Sequence, residues 1–295
     1  MLGAALPVWT PTPMIMGTSR RKLVVRADAD AEDYFTRIGA AGGTITDAAK
    51  IAVNRLVYDL KAGDVWNRLF DVGVFAGASL TAALVKLKYP AGVASTLTNV
   101  NFISGDYAQA TGLKGNGSTK YLRTGVAPSA IEFNTPHYHG SLAAYVRSAS
   151  ANGESNPVLL GMASGSGGSD SASNYLMMDD VNAANFTFGG EGLGTNVLAV
   201  TDPPGMLIGV ATSLSARRLF WNGSPQVGSR DTGLATGDGS DREFYVMAQN
   251  QGGTAARHHD AHLAFYAIGG ELTESHGAAL HLAVQLFQTS LGRQV

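Results

Sequence analysis

The chain contains no cysteine. That excludes disulfides and thiolate metal sites and leaves packing or oligomerisation to hold the fold, without fixing the compartment. Charge is also scarce: Asp, Glu, Lys and Arg make up 15% of 295 residues, and the net charge is -2. Such a balance lacks the basic face or tail of a nucleic-acid binder, so nucleic acid is not an expected partner. No apolar run is long enough to cross a bilayer, and membrane insertion is not expected. The opening MLGAALPVWTPTPMIMGTSRRKL lacks the order of a secretory signal, because its basic residues follow the apolar stretch and Pro7, Pro11 and Pro13 interrupt it. Solenoid repeats are absent, as are the Gly-Lys-Ser/Thr ending of a P-loop and a Gly-x-Ser-x-Gly elbow seated between a strand and a helix.

Glycine is abundant, at 37 residues. With many Ser, Thr and Asn it suits short strands joined by turns. The most informative stretch is Leu207 to Val227. An apolar run to Leu214 precedes the alternating Arg217 to Trp221, and Asn222-Gly223 is the dipeptide that a type I′ hairpin turn requires. Ser215-Ala216 serves as the preceding turn, and Pro225 marks an edge or short strand because it cannot donate to a ladder. Further strands are expected near 139–147, 158–163, 175–178, 185–188, 197–200, 244–249 and 262–268. Together these predict an antiparallel sandwich.

Helices are expected at both ends. Thr46 caps a helix with Val53, Leu56, Val57 and Leu60 on one stripe and Gly63 as its stop, and a further helical turn over 65–70 makes a small helical hairpin. Thr273 caps a final helix carrying Leu280, Val284, Phe287 and Leu291, stopped by Gly292, with Leu282 and Leu286 widening its apolar face. The expected organisation is an extended anchoring arm over 1–26, a helical or irregular attachment region over 27–104, and a β domain over 105–295 ending in a helix. Trp9, Met14, Ile15 and Met16 are the anchors of the arm.

The runs DADAEDYF (28–35), ITDAAKIAVNRLVYDLKAGDVWNRL, FAGASLTAALVKL and NFISGDYAQATGLKGNGSTKYLRT resemble the shared N-terminal half of a family of phage and prophage virion proteins. FWNG, FYVMAQNQGGTA and the closing LHLAVQLFQTSLGRQV resemble the concanavalin A-like (laminin-G-like) jelly-roll half of those proteins. The resemblance covers about residues 28–295. It implies a mainly β jelly-roll sandwich and a virion location. It also implies a structural role as a head decoration, head fibre or tail-associated component, with other virion proteins and copies of itself as partners. A host-glycan-binding attachment protein is the alternative, and a polysaccharide depolymerase a more distant one.

Candidate chemistry is thin. His258, Asp260 and His262 would share one face of an extended strand and are the candidate metal ligands, as HYH at 137–139 would place two histidines together. Asp170, Asp238 and Asp241 lie in glycine-rich loops that suit calcium, although no cofactor is expected. A lectin-like face needs an aromatic platform with amide partners, for which Tyr145, Trp221, Tyr245 and Asn250 are the candidates, with Tyr138 and Tyr175 as further rings. A jelly-roll glycosidase would show carboxylates at strand spacing, such as Glu-x-Asp-x-x-Glu. That run is absent, and a protein without enzymatic activity is expected.

Overall fold

The computed structural model describes residues 27–130, 140–148, 157–163, 173–178, 183–190, 198–199, 204–212, 217–226 and 242–295. Among the described residues the α-helices are α1 (Ala29–Ala40), α2 (Asp47–Ala62), α3 (Leu80–Ala83) and α4 (Glu274–Ser290). The strands run in chain order as β1 (Leu69–Gly73), β2 (Thr98–Val100), β3 (Tyr107–Ala108), β4 (Gly112–Lys114), β5 (Tyr121–Arg123), β6 (Gly140–Val146), β7 (Val158–Ala163), β8 (Ser173–Met178) and β9 (Ala183–Gly190). They continue as β10 (Leu198–Ala199), β11 (Gly205–Ala211), β12 (Arg217–Trp221), β13 (Ser224–Pro225), β14 (Tyr245–Val246), β15 (Gln249–Gln251), β16 (Thr254–Ala256) and β17 (His262–Gly269). The protein is mainly β, with two largely antiparallel sheets and a few helices. One sheet has the order β13-β12-β11-β6-β17-β4-β3, with β1 also on β17. The other has the order β10-β9-β8-β7-β14-β5-β2, with β15 and β16 attached.

The first sheet is the middle of three layers. Along β6, Leu142, Ala144 and Val146 point to the second sheet, while Ala143 and Tyr145 point to the helices. β11 and β17 divide in the same way, with Leu207 and Leu263 on one side and Ile208 and Phe265 on the other. Strands buried on both faces read as near-continuous apolar runs rather than alternating ones, which is why 205–211 is apolar throughout and 263–269 is interrupted only by the Tyr266 hydroxyl. The second sheet alternates instead: Leu122 and Val246 face inward, and their neighbours Tyr121, Arg123 and Tyr245 face away from the first sheet.

The helical layer covers the far side of the first sheet. Thr46 caps α2 through its hydroxyl, which accepts from Ala49 N, and Ala52, Val53, Leu56, Val57 and Leu60 are buried. Gly63 follows the helix with φ -85, so it is small for another reason: a Cβ there would lie 2.9 Å from Ala279 Cβ of α4. Thr273 caps α4, with its hydroxyl accepting from His276 N and its own N–H donating to His276 Nδ1. Gly292, at φ 66, ends that helix. Among the described residues no helix is long and apolar enough to cross a membrane.

Several expectations are corrected. The helical hairpin is α1 with α2, and only Trp66–Arg68 makes a short 3-10 turn before β1 begins at Leu69. Residues 27–104 are not separate from the sandwich, because β1 joins the first sheet through β17 and β2 joins the second through β5. The strand expected over 244–249 is broken at Met247, whose φ of 66 turns the chain so that β14 is antiparallel to β7 and β15 parallel to it. Asn222 and Gly223 both have positive φ, 47 and 77, as a type I′ turn demands, and Pro225 lies in the edge strand β13. The Ser215-Ala216 turn lies outside the described residues.

The C-terminus is fastened by Arg293, which is fully buried and is met by carbonyl and amide oxygens. Its guanidinium donates to the carbonyls of Val74 (2.7 Å), Phe75 (2.8 Å), Gln109 (3.1 Å) and Ala264 (3.1 Å), and Nε donates to Gln288 Oε1. Burial pulls its pKa down to about 10, which still leaves it charged at neutral pH. Phe75 sits at φ 44, an uncommon conformation for a residue with a Cβ, and its carbonyl also meets the Tyr107 hydroxyl at 2.9 Å. Arg293 thus joins α4, β17 and the segment after β1. We expect Arg293→Met to lower unfolding stability by about 3 kcal/mol or more, because several buried carbonyls lose their donor at once. Chemical denaturation checks this, with Leu282→Ser on the exposed side of α4 as the variant expected to change little.

Candidate functional site

The outward side of the second sheet carries a group of polar and aromatic residues away from the helices. In register, Thr98, Arg123, Tyr245 and Gly161 form one row across β2, β5, β14 and β7. Residues opposite one another share a face, and Leu122, Val246, Leu160 and Leu176 of the alternate row lie in the inter-sheet core. The Tyr121 and Tyr245 rings meet at 4.7 Å between centroids, and His258 packs edge-on against Tyr121 at 5.9 Å. Tyr245 is only 5% exposed, so the more open ring of the pair is Tyr121.

Charged groups frame these rings. Arg123 Nε donates to Glu243 Oε1 at 2.6 Å, and Glu243 Oε2 accepts from Gly125 N at 2.7 Å. Both carboxylate oxygens are therefore engaged, while the Arg123 side chain remains 49% exposed. Its bond to Glu243 holds the guanidinium pKa above the ordinary value. Burial raises the Tyr245 phenol, with Tyr121 and Glu243 adding to the rise and Arg123 and Arg242 opposing it, so these groups surround one hydroxyl. The loop behind them is shaped by Asn250: its Nδ2 donates to the Glu243 carbonyl at 2.9 Å and its Oδ1 accepts from Gly253 N at 2.9 Å. Gly253 adopts φ 100, and a side chain there would approach Arg242.

The four glycan candidates from the sequence do not form one platform. Tyr245 and Asn250 belong to this face, Asn250 as a buried loop brace. Tyr145 is a correction: it is fully buried on the opposite side of the first sheet, where its hydroxyl lies 3.0 Å from Gln285 Oε1 and accepts from Val295 N at 2.9 Å. Trp221 is partly buried against the inter-sheet core on β12, next to the edge strand, and does not join Tyr245. Tyr121 and Arg123 were missed by sequence reasoning. The available signal was the alternation Tyr121, Leu122, Arg123, which puts the first and third on one face.

The metal candidates are also corrected. β17 begins only at His262, so 258–261 are not extended as the shared-face argument required. His258 lies on Tyr121, the Nδ1 of the buried His259 accepts from Ala261 N, and His262 Nδ1 lies 3.3 Å from Ser148 Oγ. Among the described residues no group of three His, Cys, Asp or Glu is placed to hold a metal ion. Asp170, Asp238 and Asp241, the HYH histidines with Tyr138, and Trp9, Met14, Ile15 and Met16 lie outside the described residues.

A different character marks the helical layer. Ile51 is 72% exposed on α2, with Tyr58 two turns on, and Leu282 and Leu286 are exposed on α4, which packs beside α2. The molecule therefore has a polar aromatic face on one side and a partly apolar helical face on the other.

No family model matches the chain, and no curated protein matches it. Solved structures do match. A mutant of Trypanosoma rangeli sialidase displaying trans-sialidase activity aligns over 80% of this chain and 39% of its own, at 13% identity and a TM-score of 0.49. The Trypanosoma rangeli sialidase in complex with sialic acid aligns over 75% and 34%, at 17% identity and 0.46. The Ruminococcus gnavus IT-sialidase CBM40 bound to alpha2,3 sialyllactose aligns over 54% and 91%, at 15% identity and 0.39. The chain spans less than half the length of both Trypanosoma proteins. The expectation of a protein without enzymatic activity does not stand: the absence of one jelly-roll glycosidase motif is no evidence against other chemistry, and two of the three proteins named are sialidases. Identities this low with TM-scores below 0.5 transfer no substrate or mechanism to this chain.

Two histidines give this protein a pH signature. Burial lowers the pKa of both His262 and His281, with Lys114 and Arg147 adding to the shift at His262. A histidine with a depressed folded pKa binds its proton more readily when unfolded. Stability from these two is therefore present above the ordinary value of 6.5 and lost as pH falls through the window beneath it. We expect denaturation midpoints to fall below about pH 6.5, and the double variant His262→Gln, His281→Gln to flatten that dependence.

Proposed function

We propose that this chain is an attachment component of a phage virion that recognises host surface glycan through the outward face of its second sheet, on a concanavalin A-like jelly-roll sandwich. The observation that carries this reading is the order of layers. The helices cover one side of the first sheet, and the second sheet turns Tyr121, Tyr245, Arg123 and Arg242 to the opposite side. Particle docking and glycan recognition are thereby separated by the thickness of the sandwich. The resemblance of residues 28–295 to phage virion proteins supplies the location, and the arm with Trp9, Met14, Ile15 and Met16 supplies docking, together with the exposed Ile51, Tyr58, Leu282 and Leu286.

Saccharide recognition suits this face for chemical reasons. A half-open tyrosine ring offers an apolar plane for a sugar ring, and an exposed guanidinium offers paired donors to hydroxyl or carboxylate oxygens. Arg123 is already orientated by Glu243, so less freedom is lost when it meets a ligand.

A glycan array with the intact chain tests the reading. Selective binding to one saccharide class is expected, and Tyr121→Ala is expected to weaken it about tenfold or more. Loss of binding with an unchanged circular dichroism spectrum assigns the face, whereas equal binding by wild type and Tyr121→Ala places recognition elsewhere.

A further inference from the structure

The inter-sheet core contains two ionisable side chains in direct contact. Asp71 and Lys86 are both fully buried, and Lys86 Nζ lies 2.6 Å from Asp71 Oδ2. Nζ also donates to the carbonyl of Thr124 at 2.6 Å, and the Tyr266 hydroxyl donates to Asp71 Oδ1 at 2.5 Å. The four groups come from β1, the segment ahead of β2, the turn after β5 and β17. Gly73 gives Tyr266 its place, because a Cβ there would lie 2.1 Å from the ring atom Cε1. Burial pushes the Asp71 carboxyl above its ordinary range. Passing one proton from Nζ to Oδ2 leaves a neutral amine against a neutral carboxylic acid, with Nζ hydrogen-bonded to an oxygen attached to the carbon it would attack.

From this geometry we infer that Lys86 and Asp71 condense into an intramolecular isopeptide bond. The Nζ lone pair adds to Cγ of Asp71, and the carbonyl π pair moves onto Oδ1, where the Tyr266 hydroxyl holds the developing charge. The Cγ–Oδ2 bond then breaks, and Oδ2 departs as water with its own hydrogen and one from Nζ. The amide retains a single N–H, which donates to the Thr124 carbonyl. No oxidant or other reactant is consumed. Two groups that are costly to bury in charged form become one neutral, hydrogen-bonded amide. Fixed contact between the reacting groups removes the orientational entropy that a free amine and acid would lose. The product staples β1 to the segment ahead of β2, in a chain that has no cysteine for a disulfide.

Mass spectrometry of the full, unfolded chain tests the inference. The expected result is an intact mass one water below that of the sequence and a tryptic peptide spanning 69–88, equally light and uncleaved after Lys86. Peptide 69–86 at its unmodified mass and in full yield overturns it. So does a water loss with normal cleavage after Lys86, as a succinimide at Asp71 would give. Lys86→Met is expected to restore the unmodified mass whether or not that variant folds. A water loss that persists in it also overturns the assignment.

Discussion

The central strands of the first sheet have no polar face, and the rest of the architecture answers that constraint. β6, β11 and β17 place apolar side chains on both sides, so the sheet is stable only as an inner layer. α1, α2 and α4 close one side, with Tyr34, Leu56 and Phe287 in the same cluster as Phe265 and Ile208. The second sheet closes the other side and, having only one side committed to packing, is free to carry polar residues outward. The proposed recognition face is thus a consequence of layer order: it lies on the side of the molecule where burial makes no further demand.

Two buried polar devices hold these layers in register. Arg293 grips carbonyls from β17 and from the segment after β1, which fixes the helical layer and the C-terminal tail to the first sheet. Asp71, Lys86, Tyr266 and Thr124 bridge the two sheets from within. Burying charge is costly, and apolar replacements often do as well for stability. What directed bonds add is geometry: each of these residues accepts or donates at defined positions, so a shifted strand would leave them unsatisfied. Tyr245 and Arg123 inherit their placement from the same sandwich, through Leu122 and Val246 on the reverse side of their strands.

Much of the sheet was legible because local chemistry decided it. β7 and β12 coincide with their expected bounds, Asn222-Gly223 forms the expected turn, and Thr46 and Thr273 cap the expected helices. Residues 27–130 were harder to read. β2, β3 and β4 are two or three residues long, and β2 and β4 are held by β5 and β17 farther along the chain, so no periodicity can build up. The site was legible only in part. Tyr245 and Asn250 reach the proposed face, but Tyr145 occupies an apolar position of β6 that faces the helices, and which side of a doubly buried strand a tyrosine takes is a tertiary matter. The histidine run misled because His258 and Asp260 precede β17, where the alternation rule does not apply.

Amide chemical-shift mapping with an oligosaccharide selected on the array tests the central claim most directly. The account predicts perturbations confined to 121–125, 242–253 and their neighbours on the outward side of the second sheet, with α2 and α4 unchanged. Perturbations centred on Ile51, Tyr58, Leu282 and Leu286, or absent from 121–125, would contradict it.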